Sequence, residues 1–210
     1  MTEPVLIGLC GRSGTGKGYV CGLFDRLGIP SVDTDAVYRK MTAPSPCLSP
    51  CMQELSEVFG ERIVLPDHSL NRIVMREIVF SEGGDESRRI LNRITHAHIL
   101  RETMSIARKY AESGKYLVII DAPLLFESGF ASRCRFTVCV TASAETSVRR
   151  IMQRDSLTRT DALRRLSAQM TEEELIRRCD YRIINELYSD TLEEQVSAVA
   201  ESIRHACRNQ

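Results

Sequence analysis

No apolar stretch in this 210-residue chain reaches the ~18 residues that a membrane-spanning helix needs. Its first residues also lack the basic segment and short apolar core of a secretory signal. A cytoplasmic protein with no membrane partner is therefore expected. An excess of either charge is missing too: 28 basic residues balance 28 acidic ones. That balance excludes a broad electrostatic attraction to nucleic acid. Paired cysteine motifs are absent, because none of the eight cysteines sits in a CxxC pair or at zinc-site spacing from a histidine. Several lie in apolar runs and read as small core residues in a reducing compartment. Repeats, low-complexity tracts and domain linkers are also lacking. Lysine is scarce, at four residues (Lys17, Lys40, Lys109 and Lys115) against 24 arginines. The planar arginine fork suits a polyanionic ligand.

What is present begins at once. Residues 5–21 read VLIGLCGRSGTGKGYVC, an apolar strand candidate, a glycine-rich turn and the start of an amphipathic helix. Gly11, Gly14 and Gly16 free the backbone to curl so that successive amides can face phosphate oxygens, and the following helix adds its positive dipole end. Gly11-x4-Gly16-Lys17 matches the G-x-x-x-x-G-K part of the phosphate-binding loop. The Ser/Thr that normally follows, and that places a hydroxyl on magnesium, is here Gly18.

Strand signals recur at Val5–Cys10, Pro30–Val32, Tyr116–Ile120, Phe136–Val140 and Arg182–Ile184, each followed by helix-compatible sequence. That alternation predicts an α/β fold, a parallel sheet flanked by helices. Helices are expected at 17–27, 145–155, 160–170 and 190–207. Between the second and third strands, 36–113 lacks a convincing strand and carries helical patterns at 51–60, 72–80 and 86–113, with a turn at Gly83-Gly84. The expectation is one domain over 1–210 with a helical insertion at 36–113 and an arginine-bearing helical lid at about 150–180.

Three groups of residues could carry chemistry. Asp33 and Asp35 follow the second strand, where side chains project toward the ligand crevice of a parallel sheet. One could take a proton from a hydroxyl while the other orients magnesium-bound water; alternatively, Asp33 or Thr34 caps the next helix. Asp121 ends the third strand, the place of a carboxylate that holds magnesium through water. The neighbouring Leu124, Leu125 and Phe126 read as packing residues. Residues 149–182 hold nine arginines against six acids. Arg150 and Arg154, four apart, share a helix face and suit a lid over a moving phosphoryl group. His96 and His98 have no partner in the sequence pattern that would make them ligands or bases.

In order along the chain, LCGRSGTGK, LGIPSVDTDAVYR, SLNRIVMREIVF, LNRITHAHI, DAPLLFESG, RRIMQRD with the later Gln169, and CDYRIINE with Asp180 and Asn185 resemble the dephospho-CoA kinase family over almost the whole length. The resemblance implies transfer of the ATP γ-phosphoryl to the ribose 3′-hydroxyl of dephospho-CoA, with Mg2+. By that analogy Gly11, Ser13, Gly14, Thr15, Gly16, Lys17, Gly18 and Tyr19 bind the ATP phosphates, and Asn185 lies near the adenine. Asp35 is the base, helped by Asp33; Arg154 and Arg150 act on the transferring group. Arg39, Arg72, Asn92 and His96 fall at motif positions of the CoA-binding part. Asp33, Asp35 and Asp121 would hold the metal through water.

Departures from the family pattern are Gly18 and Tyr19 for a hydroxyl pair, Arg12 for glycine, Cys10 for threonine and Ala97 for proline. Two other readings stay open: a P-loop kinase for another small acceptor such as a nucleoside monophosphate, or a nucleotide-binding module without catalysis. Oligomeric state is not indicated.

Overall fold

The computed structural model describes residues 3–186 and 191–209. Five strands form one sheet in the order β2-β3-β1-β4-β5, with β1 at Val5–Cys10, β2 at Ser31–Asp33, β3 at Leu117–Asp121, β4 at Phe136–Thr141 and β5 at Tyr181–Ile184. The pairings of β1 with β3 and β4, and of β4 with β5, are parallel. Strand β1 is central and almost wholly buried, which is why it reads as an unbroken apolar run rather than an alternation. Its register sets Leu9 beside Asp121 and Cys10 beside Cys139.

The chain divides into two compact units, Met1–Val32 with Ala107–Gln210, and Asp33–Ile106. In the first, α1 (Lys17–Arg26) and the C-terminal helix, here labelled α9 (Leu192–Arg208), cover the sheet. Val20, Leu23 and Phe24 of α1 and Val196, Val199 and Ile203 of α9 form one core with Ile7, Leu9, Ile119, Val138 and Ile183 of the strands. Leu125 is fully buried. Its methyls occupy the place where a Cβ on Gly8 would come within 2.8 Å, so a glycine in mid-strand creates the socket for the DAPLLF segment. Leu125 packs as expected, whereas Leu124 is 53% exposed, because the turn after Pro123 lifts it off the sheet.

The second unit begins on α2 (Thr34–Met41), followed by α3 (Pro50–Phe59), α4 (Arg72–Phe80) and α5 (Asp85–Glu112). Helices α2 to α5 fill the stretch read as helical at 36–113, and α5 runs on past Ile106, the last residue of this unit, to Glu112. Met52 and Leu55 of α3, Met75 and Val79 of α4 and Ile94 of α5 pack into a core of its own. Ser49 caps α3 ahead of Pro50, and Asn71 caps α4.

After β4 come α6 (Ala144–Asp155), α7 (Arg159–Ser167) and α8 (Glu172–Arg178). The helix expected at 160–170 stops at Ser167, which leaves Gln169 beyond its end. The helix expected at 190–207 is α9 from Leu192; residue 190 lies outside the described residues. Helix α2 was expected only as the unbounded helix that Asp33 or Thr34 would cap, and α8 has no counterpart in the sequence-based expectations. For α8 a signal existed, since Thr171 accepts the Glu174 amide at 3.2 Å in a T-x-x-E capping pattern.

Candidate active site

Between β1 and α1 the backbone turns through Gly11 (φ 155), Gly14 (φ 82) and Gly16 (φ 83). Side chains are excluded there for spatial reasons as well. A Cβ on Gly11 would strike the Val140 carbonyl, one on Gly14 the Ser147 carbonyl, and one on Gly16 the Asn185 amide. No side chain caps the N-terminus of α1, and its first turn carries no acid. The orphan amides of that turn and the dipole behind them are left for an anion. Lys17, the first residue of α1, places its ammonium 4.0 Å from Asp121 Oδ1, with both side chains mostly buried. Cys21, one helical turn on from Lys17, is buried, and burial together with the adjacent Asp121 carboxylate pushes its thiol pKa up.

The loop is gripped from the far side by residues of the later chain. Arg12 donates to the Leu166 carbonyl at 2.5 Å and the Ser13 amide donates to Gln169 Oε1 at 2.9 Å. Arg154 NH2 reaches Ser13 Oγ at 3.3 Å while its guanidinium is held by Asp155. Arg150, pointed by the sequence at the transferring phosphoryl, gives its NH1 to the carbonyls of Gly14 and Thr15, both at 3.3 Å, and of Asn185 at 2.9 Å. Asn185 is 5% exposed, and its amide donates to the Thr15 carbonyl at 2.8 Å. Gly14, Gly16, Arg150, Gln153 and Arg154 line a cavity of about 320 Å³ beside the loop.

In the second unit, Asp33 caps α2, its Oδ1 accepting the Ala36 amide at 2.9 Å, while Oδ2 lies 3.3 Å from Arg39. Of the two readings that the sequence left open for Asp33, the structure therefore shows the helix cap. Asp35 stands exposed on the first turn of α2. Arg72, at the start of α4, donates to Thr42 Oγ1 at 3.3 Å and lies over the Tyr38 ring at 5.8 Å. Asn92 and His96, four apart on α5, share a face, the first exposed and the second half-buried. Burial lowers the pKa of His96. His98 is a satisfied buried residue, 2.7 Å from Glu54 Oε2.

Sequence reasoning assigned no role to Arg12, Gln169 or Asp155. Gln169 and Asp155 lay inside quoted motifs, but their partners are 156 and 10 residues away, and no local pattern exposes such pairs.

A glycine loop ending in lysine, an uncapped helix start and a carboxylate at the neighbouring strand end, all on a parallel sheet, define a P-loop kinase. Residues 5–190 match the family model described as dephospho-CoA kinase. A dephospho-CoA kinase of Listeria monocytogenes is 36% identical over 203 residues, covering 97% of this chain and 98% of the relative. The chain belongs to the dephospho-CoA kinase family. A crystal structure of a Thermus thermophilus protein, 29% identical, matches with a TM-score of 0.76 over 95% of this chain and 97% of that one. The Campylobacter jejuni dephospho-CoA kinase, 23% identical, shares the fold with a TM-score of 0.66 over 94% and 96%.

Proposed function

We propose that this ATP-dependent kinase converts dephospho-CoA to CoA, with the Gly11–Lys17 loop holding the ATP phosphates and Asp35 serving as the base. The observation that carries the reading is the uncapped, acid-free start of α1 behind a three-glycine loop, with the Lys17 ammonium at its head. The reaction passes the γ-phosphoryl directly to the 3′-oxygen while the bridging bond to the β-phosphate breaks. No covalent enzyme intermediate is needed, so positioning and charge neutralisation supply the catalysis. Asp35 accepts the proton released by the attacking hydroxyl. Lys17 and the loop amides offset charge on the phosphates, and Arg154 adds a positive group above Ser13. Arg39, Arg72, Asn92 and His96 are the proposed contacts of the CoA moiety.

Metal fit is a matter of donors. Gly18 offers no hydroxyl, and no group of three or more His, Cys, Asp or Glu among the described residues could hold an ion by itself. Asp121, largely buried beside Lys17, fits a Mg2+ whose other ligands are phosphate oxygens and water, with Asp33 and Asp35 orienting waters. Bound so, Mg2+ would neutralise charge on the β- and γ-phosphates. All eight cysteines are free thiols, which favours a reducing, cytoplasmic setting.

A coupled assay of ADP release tests the reading. Turnover with ATP and Mg2+ should be fastest on dephospho-CoA across a panel of acceptors that includes nucleoside monophosphates. Faster turnover of a mononucleotide, or tight ATP binding without any transfer under varied divalent metals, would overturn it.

A further inference from the structure

The side chains of Asn185 and Arg150 converge on the backbone of the phosphate loop, Arg150 doing so at the wall of the cavity beside it. Asn185 Nδ2 donates to the Thr15 carbonyl at 2.8 Å, and Arg150 NH1 stands 3.3 Å from the same oxygen and 3.3 Å from that of Gly14. The two clasping residues are joined to each other, NH1 to the Asn185 carbonyl at 2.9 Å and NH2 to its Oδ1 at 3.3 Å. The amide of Asn185 is therefore used at both ends, its oxygen by Arg150 and its nitrogen by the loop.

Peptide geometry gives this clasp a consequence. In a trans peptide the carbonyl of one residue and the N–H of the next point in opposite directions, and the described chain has no cis peptide. Drawing the Thr15 carbonyl toward Asn185 and Arg150 thus turns the Gly16 N–H to the opposite side. Gly16 itself sits at φ 83, a conformation that needs holding because glycine has many alternatives. The Asn185 amide lies so close that no side chain could replace the Gly16 hydrogen. Arg150 also carries a fixed positive charge to the underside of the same turn.

We infer that Asn185 and Arg150 are positioning residues for the ATP phosphates, acting through the Thr15–Gly16 peptide plane and not by contact with the adenine or the moving phosphoryl. The inference rests on the loop's being the ATP site. It separates from the adenine assignment by which half of the nucleotide each residue serves.

The test uses the whole enzyme with two partial ligands as competitors of ATP: inorganic tripolyphosphate, which has phosphates and no base, and adenosine, which has the base and no phosphates. In Asn185→Ala, KM for ATP and the inhibition constant of tripolyphosphate should both rise about tenfold, the worth of a buried hydrogen bond. The adenosine constant and KM for dephospho-CoA should stay within about twofold, since neither uses the loop amides. Asn185→Asp, which keeps the shape but cannot donate to Thr15, should show the same split and guards against a misfolded alanine variant. Thermal midpoints of both variants accompany the kinetics. A rise in the adenosine constant with tripolyphosphate unchanged, or no change in either, would overturn the clasp. Wild-type protein with neither turnover nor tripolyphosphate inhibition would instead overturn the ATP assignment, and the inference with it.

Discussion

Arg154 is held by its own neighbour in sequence, Asp155, through two parallel contacts, Nε to Oδ1 at 2.8 Å and NH2 to Oδ2 at 2.9 Å. Arg165 closes on the same carboxylate from α7. Asp155 thereby fixes a long, half-exposed side chain whose other contact is Ser13 of the phosphate loop. The guanidinium is pre-aimed, so less rotamer entropy is lost when substrate binds.

Removing that restraint should cost rate more than affinity. Asp155→Ala is expected to lower kcat by about tenfold while KM for dephospho-CoA holds, whereas Arg154→Met should cost about 10²- to 10³-fold. Steady-state kinetics of the two variants check the order. Hydrogen bonding from Arg154, opposed by burial and reinforced by Arg165, lowers the Asp155 pKa from 3.8 to about 2. A depressed carboxylate pKa contributes stability above the unfolded value that is lost as pH falls through the folded one. Thermal midpoints of wild type should therefore fall faster than those of Asp155→Asn as pH drops from about 4 to 2.

Asp33 and Asp35 should separate cleanly. Asp35→Asn is expected to keep the fold and lose about 10²- to 10⁴-fold in kcat, the span of a general base. Asp33→Ala removes the cap on the Ala36 amide and should cost about 1 kcal/mol of stability. Asp33→Asn keeps an acceptor for that amide and should unfold close to wild type, as read by urea titration. A stable, fully active Asp35→Asn would refute the assignment of the base.

Gly18 can accept a side chain without rearrangement, for nothing lies within 4 Å of where its Cβ would stand. Gly18→Ser should raise stability slightly, by about 0.5 kcal/mol, because glycine is the poorer helix former. Its hydroxyl should also lower the Mg2+ concentration needed for half-maximal rate. Magnesium titrations of both proteins, with their thermal midpoints, test the two effects separately.

Three thiols with raised pKa values predict alkaline behaviour. Burial pushes Cys134 up to about 12 and Cys51 up to about 11. A hydrogen bond with Cys10, whose sulfur is 3.5 Å away, and burial push Cys179 to about 12. Each folded pKa lies above the unfolded value of 9.0, so the unfolded chain releases protons first. Stability should be constant in this respect below about pH 9 and fall as pH climbs toward the folded values. Thermal midpoints between pH 8 and 11 measure the decline. At pH 8 a thiol reagent should label exposed Cys47 before buried Cys51 and the half-buried, raised-pKa Cys134 and Cys179.

Strands β1, β3 and β4 were legible because buried parallel strands read as short apolar runs between breakers, and the short edge strands β2 and β5, each with a single buried residue, were also read within a residue or so of their bounds. Helix α2 was legible only through its capping residue, and its extent was not, since its first turn coincides with the Asp33-Thr34-Asp35 segment that could also be read for chemistry. The loop's partners were harder still. Arg150 shares a helix face with Arg154, as spacing predicts, yet one serves the backbone of the loop and the other reaches its Ser13 hydroxyl.

By itself, the sequence determined the sheet, the phosphate loop with its lysine, the missing hydroxyl at Gly18 and the family, because these are contiguous patterns whose physics is local: apolar period, glycine freedom and helix start. Only the tertiary structure decided what holds the loop. Arg12, Ser13 and Thr15 find their partners in Leu166, Gln169, Arg150 and Asn185, more than 130 residues on. Hydrogen bonds between such distant groups depend on how the strands order themselves in the sheet, and no local spacing along the chain encodes that.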